Sequence, residues 1–221
     1  MAAPNDAFVL PRTGRNLRNR SVLAAMTNKQ SNPDGTLSDE EIHWLTRRAE
    51  GGFGVVTTAA ANVTETSRGW DGEMGVWGDH QIPGLTVMAN EISQHGAIGL
   101  VQIFHGGMRS PESINGVQPV SASINTEAGM EGSTRALSDA EVLALVDDFA
   151  QAALRCQAAG FDGVELHGAH SYLICQFLGA KTNRREDAWG GTFDKRCRFL
   201  FAIIEAVRAL TSPDFLIFVR I

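Results

Sequence analysis

The chain has 221 residues, 43% hydrophobic and 20% charged, a balance that supports one sizeable core and argues against a disordered or fibrous protein. Its formal net charge of −6 is spread among interspersed acidic and basic residues, so there is neither a basic face for nucleic acid nor a cationic amphipathic helix for a membrane surface. The N-terminus lacks a signal-peptide pattern and no window approaches a membrane-spanning run. The expectation is a cytoplasmic protein whose partners are small molecules. Cys156, Cys175 and Cys197 are odd in number and never form a CxxC pair, so they read as reduced thiols used mainly in packing.

In chain order, Ser21 to Met26 is a short apolar run followed by a turn-rich loop, which predicts a first strand and its loop. Ser38-Asp39-Glu40-Glu41 has capping-box spacing and opens a helix that stops at Gly51-Gly52. Gly54 to Ala60 is β-branched and reads as the second strand. A helix over Gly84 to Gly96 follows, and then a third strand over Ala97 to His105. The stretch 106–135, rich in Ser, Gly, Asn and Pro, is longer than a connection normally needs and is expected to be an active-site loop or lid. Ser138-Asp139-Ala140-Glu141 repeats the capping spacing, and apolar residues on one face carry that helix to Gly160. Phe161 to Leu166 is the fourth strand. Phe193 to Leu210 is a further helix, and Phe215 to Ile221 is a fifth strand.

Five strands alternating with four helices fit either an open doubly wound sheet or a (β/α)8 barrel, and order along the chain does not separate the two. No GxGxxG or GxxxxGK[ST] fingerprint follows the first strand, while polar residues gather at the ends of the strands. Both facts favour the barrel, with three of its eight strand–helix units lacking. The end of the fourth strand delivers His167, His170 and Tyr172. A lone His after a strand is more often a hydrogen-bonded structural residue, but two His and a Tyr within six positions fit that reading poorly. Metal binding by His167 and His170, with Cys175 as a third ligand, is disfavoured because no carboxylate or third His is placed to complete the set. No metal site is therefore expected.

The run Gly160-Phe161-Asp162-Gly163-Val164-Glu165-Leu166-His167-Gly168-Ala169-His170, continued by Tyr172-Leu173, Gln176-Phe177-Leu178, Asn183-Arg184, Asp187, Gly190-Gly191, Arg196 and Arg198-Phe199, resembles the N-terminal portion of the Old Yellow Enzyme family of FMN-dependent oxidoreductases. Met26-Thr27, Arg48-Ala49-Glu50-Gly51-Gly52 and Val101-Gln102-Ile103-Phe104-His105-Gly106-Gly107 support it in the same order. The resemblance implies a TIM barrel with FMN across the C-terminal mouth of the strands. It also implies NADH or NADPH as hydride donor and an enone-type alkene as acceptor. A flavin-dependent dehydrogenase or demethylase, or a catalytically silent fragment, is the alternative.

The resemblance assigns the flavin surroundings to Ala25, Met26, Thr27, Ala60, Gln102, His167 and Arg220. Chemical sense supports several of these assignments. Thr27 offers a hydroxyl, Ala60 is small enough for close approach, Gln102 can donate and accept, and Arg220 brings a permanent positive charge. His167 and His170 would donate to the acceptor's carbonyl oxygen, and Tyr172 would supply the proton. Three positions depart from the family's pattern: Ala25 stands for Pro, Trp189 for Tyr, and Met108 for Arg. A (β/α)8 barrel takes about 250 residues, so residues 1–221 are expected to form one FMN-binding domain truncated on its C-terminal side. They should hold the flavin ring's edge but not its phosphate. Open sheet edges would also invite pairing with another chain, and a homo-oligomer is compatible with the sequence.

Overall fold

The computed structural model describes residues 2–126 and 132–221. Val22–Leu23 (β1), Val55–Asn62 (β2), Ile98–Phe104 (β3), Gly163–His167 (β4) and Leu216–Arg220 (β5) form one parallel sheet in the order β5-β4-β3-β2-β1, with Met74–Gly75 added beside the end of β2. Each strand lies next to its predecessor and the order never reverses. That is the winding of a barrel and not of a doubly wound sheet, so strand order settles the choice that chain order left open. Helices Asp39–Glu50 (α1), Ile82–Gln94 (α2), Asp139–Ala158 (α3) and Phe193–Leu210 (α5) cover the outside, and the short Leu173–Leu178 (α4) follows β4. Among the described residues, no helix is long and apolar enough to cross a membrane.

Several boundaries differ from the sequence reading for local reasons. β1 is paired only at Val22 and Leu23, against Val55 and Val56, so Ala25 to Thr27 lie beyond the ladder. Helix α2 starts two residues earlier than expected because Pro83, in the first turn, needs no amide partner there. Ser138 and Glu141 form the full capping box of α3. Before α1 only half of it forms: Ser38 accepts from the Glu41 amide, while the buried Glu41 carboxylate turns to Asn28 and Ser31. Burial raises the Glu41 pKa, and those two donors oppose the shift. The reward is a fixed loop immediately after Thr27.

Strand periodicity divides the side chains between two cores. Val101, Ile103, Val164 and Leu166 face the helices within the larger apolar cluster. Ile98, Leu100 and Leu216 face the concave side, packed with Leu17 and Val55 and with the half-buried Phe8, Leu10 and Phe218. Phe8–Val9 and Asn16–Leu17 form an antiparallel hairpin that closes the floor of the barrel, an element absent from the sequence reading. Higher on the same concave face, parity places Gln102, Glu165, His167 and Arg220.

A bulge corrects the parity of β2. Thr57 pairs with Leu100 but Ala60 pairs with Gln102, so Thr58 and Ala59 together oppose Val101. Alternation from Val55 would point Ala60 outward; the extra residue turns it inward. The stretch 106–135 is more structured than a bare loop. It contains helix Glu112–Asn115 and the strand Val120–Ser121, which pairs with Arg135–Ala136. Residues 127–131 of that expected lid lie outside the described residues.

Candidate active site

Register sets the site. β3 and β4 place Gln102 beside Glu165, β2 places Ala60 beside Gln102, and β4 and β5 place His167 beside Arg220. Ala60, Gln102 and Glu165 thus form one row across three strands, and His167 and Arg220 form the next row above it. Ala25, Thr27, Ala60, Trp70, Gln102, His167, His170, Tyr172 and Arg220 line a single cavity of about 150 Å³ at the C-terminal ends of the strands. Of the residues the resemblance assigned, Met26 alone does not line it: its side chain is 50% exposed. Thr27 and Met26 alternate, so only one of them can face inward.

The polar groups are held by identifiable partners. Gln102 donates from Nε2 to Glu165 Oε1 at 2.6 Å, which leaves its carbonyl oxygen as a free acceptor. The Ala169 amide donates to His167 Nδ1 at 3.4 Å, so the ring proton resides on Nε2. Burial, then the charges of His170 and Arg220, lower the His167 pKa to about 4, and the imidazole is neutral near pH 7. It is a neutral donor. His167 and His170 stand with ring centres 5.0 Å apart, and Tyr172 lies 4.9 Å from His167. Burial raises the Tyr172 pKa, opposed by Arg109. At neutral pH the phenol retains its proton.

His170 and Ser171 both adopt left-handed backbone conformations, φ 56° and 59°, an arrangement that non-glycine residues accept only when the surroundings enforce it. The enforcement is visible. Arg109 donates to the His170 carbonyl at 3.0 Å, and Gln176 donates to the Ser171 carbonyl at 2.6 Å. Gln176 also accepts from the Met108 amide, tying the turn after β3 to the one after β4. His105 resembles a site residue by sequence but is buried, accepts from the Gly107 amide at 2.9 Å, and has its pKa lowered to about 3 by burial. It is structural.

The sequence reading missed Trp70. Its ring stacks on Phe104 at 5.6 Å and 19°, and Phe104 in turn meets Tyr172 edge-on at 4.8 Å. An aromatic in the glycine-rich segment Gly69-Trp70-Asp71-Gly72 was the available signal. A second, larger cleft of about 610 Å³, lined by Met108, Asn125, Ser171, Lys181, Thr182 and Arg184 among others, lies to the side of Ser171. It contains none of the expected catalytic residues.

The donor set suits a flavin ring in chemical terms. It combines small side chains for close approach, a hydroxyl, an amide with its acceptor free, and a guanidinium. Parallel barrel strands with these groups on their concave face have the character of a flavin-binding barrel. The sequence profile of the NADH:flavin oxidoreductase / NADH oxidase family matches residues 13–221, and the chain belongs to that family. FMN is the family's cofactor, with NADH or NADPH as reductant, and the Old Yellow Enzyme resemblance is borne out. The chain is 40% identical over 201 residues to a probable NADH-dependent flavin oxidoreductase of Bacillus subtilis, covering 91% of this chain and 54% of that protein. It is 38% identical over 201 residues to an NADH:fumarate oxidoreductase of Klebsiella pneumoniae, covering 90% and 21%. The structure matches morphinone reductase with TM-score 0.92 at 29% identity, over 99% of this chain and 62% of that one. The chain thus spans about half the length of the first of these curated relatives and about a fifth of the second.

Proposed function

We propose that this chain carries the flavin-edge and acid–base half of an FMN-dependent reductase that passes hydride from NADH or NADPH to an activated C=C bond. The observation that supports the reading is the convergence of His167, His170, Tyr172, Gln102, Thr27 and Arg220 on one cavity. A flavin held here would supply the hydride-transfer chemistry between nicotinamide and alkene. Gln102, held by Glu165, and Thr27 orient the ring's polar edge. Arg220 offers positive charge where electron density rises on reduction. His167 and His170 hold the acceptor's carbonyl oxygen, and the neutral His167 suffices as a donor because negative charge develops there as the β-carbon is attacked. Tyr172 gives its proton to the α-carbon.

An activated alkene conjugated to a carbonyl or carboxylate is the substrate class this chemistry serves. The names of two similar proteins, NADH:fumarate oxidoreductase and morphinone reductase, agree with that class. The test is Tyr172→Phe in the flavin-loaded protein, followed by stopped flow. Flavin reduction by NADH should stay near the parent rate while reoxidation by an enone slows by about 10²–10⁴. Equal slowing of both half-reactions would remove Tyr172 from the acid's role.

A further inference from the structure

Behind the Trp70 wall sits a buried acid that the chemistry above does not use. Glu73 is 2% exposed. Its Oε2 accepts from the Gly69 amide at 2.8 Å, its Oε1 has no hydrogen-bond partner, and the Trp70 amide also points at the carboxyl. Glu73 therefore fastens the turn that presents Trp70 to the cavity. Gly72 adopts φ 72° and packs on the Lys29 backbone, which leaves that turn no slack. Trp70 stacks on Phe104 and Phe104 abuts Tyr172, so the brace and the phenol belong to one aromatic cluster.

We propose that Glu73 is a positioning residue for this site: its carboxyl braces the Trp70 wall, and its charge acts on the Tyr172 hydroxyl. The second half rests on the reading of Tyr172 as proton donor. The charged and titratable groups facing this pair are Arg68 from the same turn, Arg109 from the turn after β3, His167 at the end of β4, His170 just beyond it, and Arg220 at the end of β5. Arg109 favours the phenolate and a Glu73 carboxylate disfavours it. Burial raises the Glu73 pKa well above the ordinary carboxylate range, and the Gly69 and Trp70 amides and Arg68 pull it back. Once ionised, Glu73 keeps the proton on Tyr172, where a general acid needs it.

The chain contains a single tyrosine, so in the flavin-free protein the ultraviolet tyrosinate band titrates Tyr172 alone. In Glu73→Gln the Tyr172 midpoint should fall, because the like charge is gone. Glu73→Met, of similar volume and easily buried, gives a second neutral replacement with the same expected fall. The two variants separate charge from brace. Gln keeps a carbonyl acceptor for the Gly69 amide and should rescue the alkene KM, whereas Met should raise KM by about tenfold, as losing one buried acceptor predicts. An unchanged tyrosinate midpoint in whichever variant folds would overturn the charge coupling, and an unchanged KM in Glu73→Met would overturn the brace. If the midpoint shifts while Tyr172→Phe still reduces alkene at the parent rate, the coupling stands and the proton-donor reading fails.

Discussion

Between Gly163 and Arg198 the chain changes character. Up to Tyr172 the His and Tyr side chains line the candidate site, whereas from Gln176 onward several polar side chains, Asn183, Arg185 and Arg196 among them, bond backbone carbonyl groups. Asn183 donates to the Phe177 and Trp189 carbonyls, both at 2.8 Å, and Arg196 donates to those of Leu178 and Gly191. Arg184 bonds Asn125 and the Ile124 carbonyl, while Arg185 bonds the Ala122 and Leu137 carbonyls and pairs with Asp187 at 2.6 Å. Those contacts clamp the segment after β3 onto the segment after β4. A single family motif therefore holds two kinds of residue. Partner type tells them apart: a side chain whose donors are all taken by backbone carbonyls has none left for a ligand.

That contrast can be broken by mutation, and the largest expected effect falls on the cavity side. His170→Ala should slow reduction of an enone by about 10²–10³ and weaken binding of a simple phenolate. Because His170 is exposed, the urea midpoint should correspond to a stability within about 1 kcal/mol of the parent. Phenolate titration with unaltered affinity would take His170 out of the oxyanion role.

The clamp side should give the opposite signature. Asn183 is 3% exposed, and its removal in Asn183→Ala strands two buried carbonyl groups, at a cost of about 2–4 kcal/mol. Denaturant unfolding reads that loss directly. The rate of flavin reduction per folded molecule should change little, and a large rate effect in a stable variant would dissolve the distinction between the two halves.

The smallest effect is a pH dependence. His105 and His167 have pKa values lowered to about 3 and about 4, below the ordinary 6.5, so between those limits the unfolded chain binds more protons than the folded one. Their contribution is intact above pH 6.5 and is lost as the pH falls toward 4. Glu73 works in the opposite sense: its raised pKa gives a contribution present below about 4.5 and lost as the pH rises. Unfolding midpoints measured across that range should fall on the acid side in the parent and fall less in His167→Gln. Identical acid limbs in the two proteins would mean that His167 is not the buried neutral group described.

Much of this protein was legible in its sequence, because local rules were enough. Helix starts followed from Ser38 and Ser138, whose side chains satisfy free amides. Strand type followed from β-branched runs, and the chemistry of His167, His170 and Tyr172 stood out by residue type and spacing. Period-two alternation even places Gln102, Glu165, His167 and Arg220 on one face once their strands are aligned. What only tertiary structure decided is how those faces meet. The bulge at Thr58 and Ala59 turns Ala60 inward, and it exists only against β3, so no pattern within β2 announces it. The strand order that selects a barrel, the floor hairpin under Val55 and Ile98, and the stacking of Trp70 on Phe104 all depend on partners distant in sequence. Alternation fixes which side of a strand a residue occupies; register between strands, set by packing across the whole sheet, fixes what it faces.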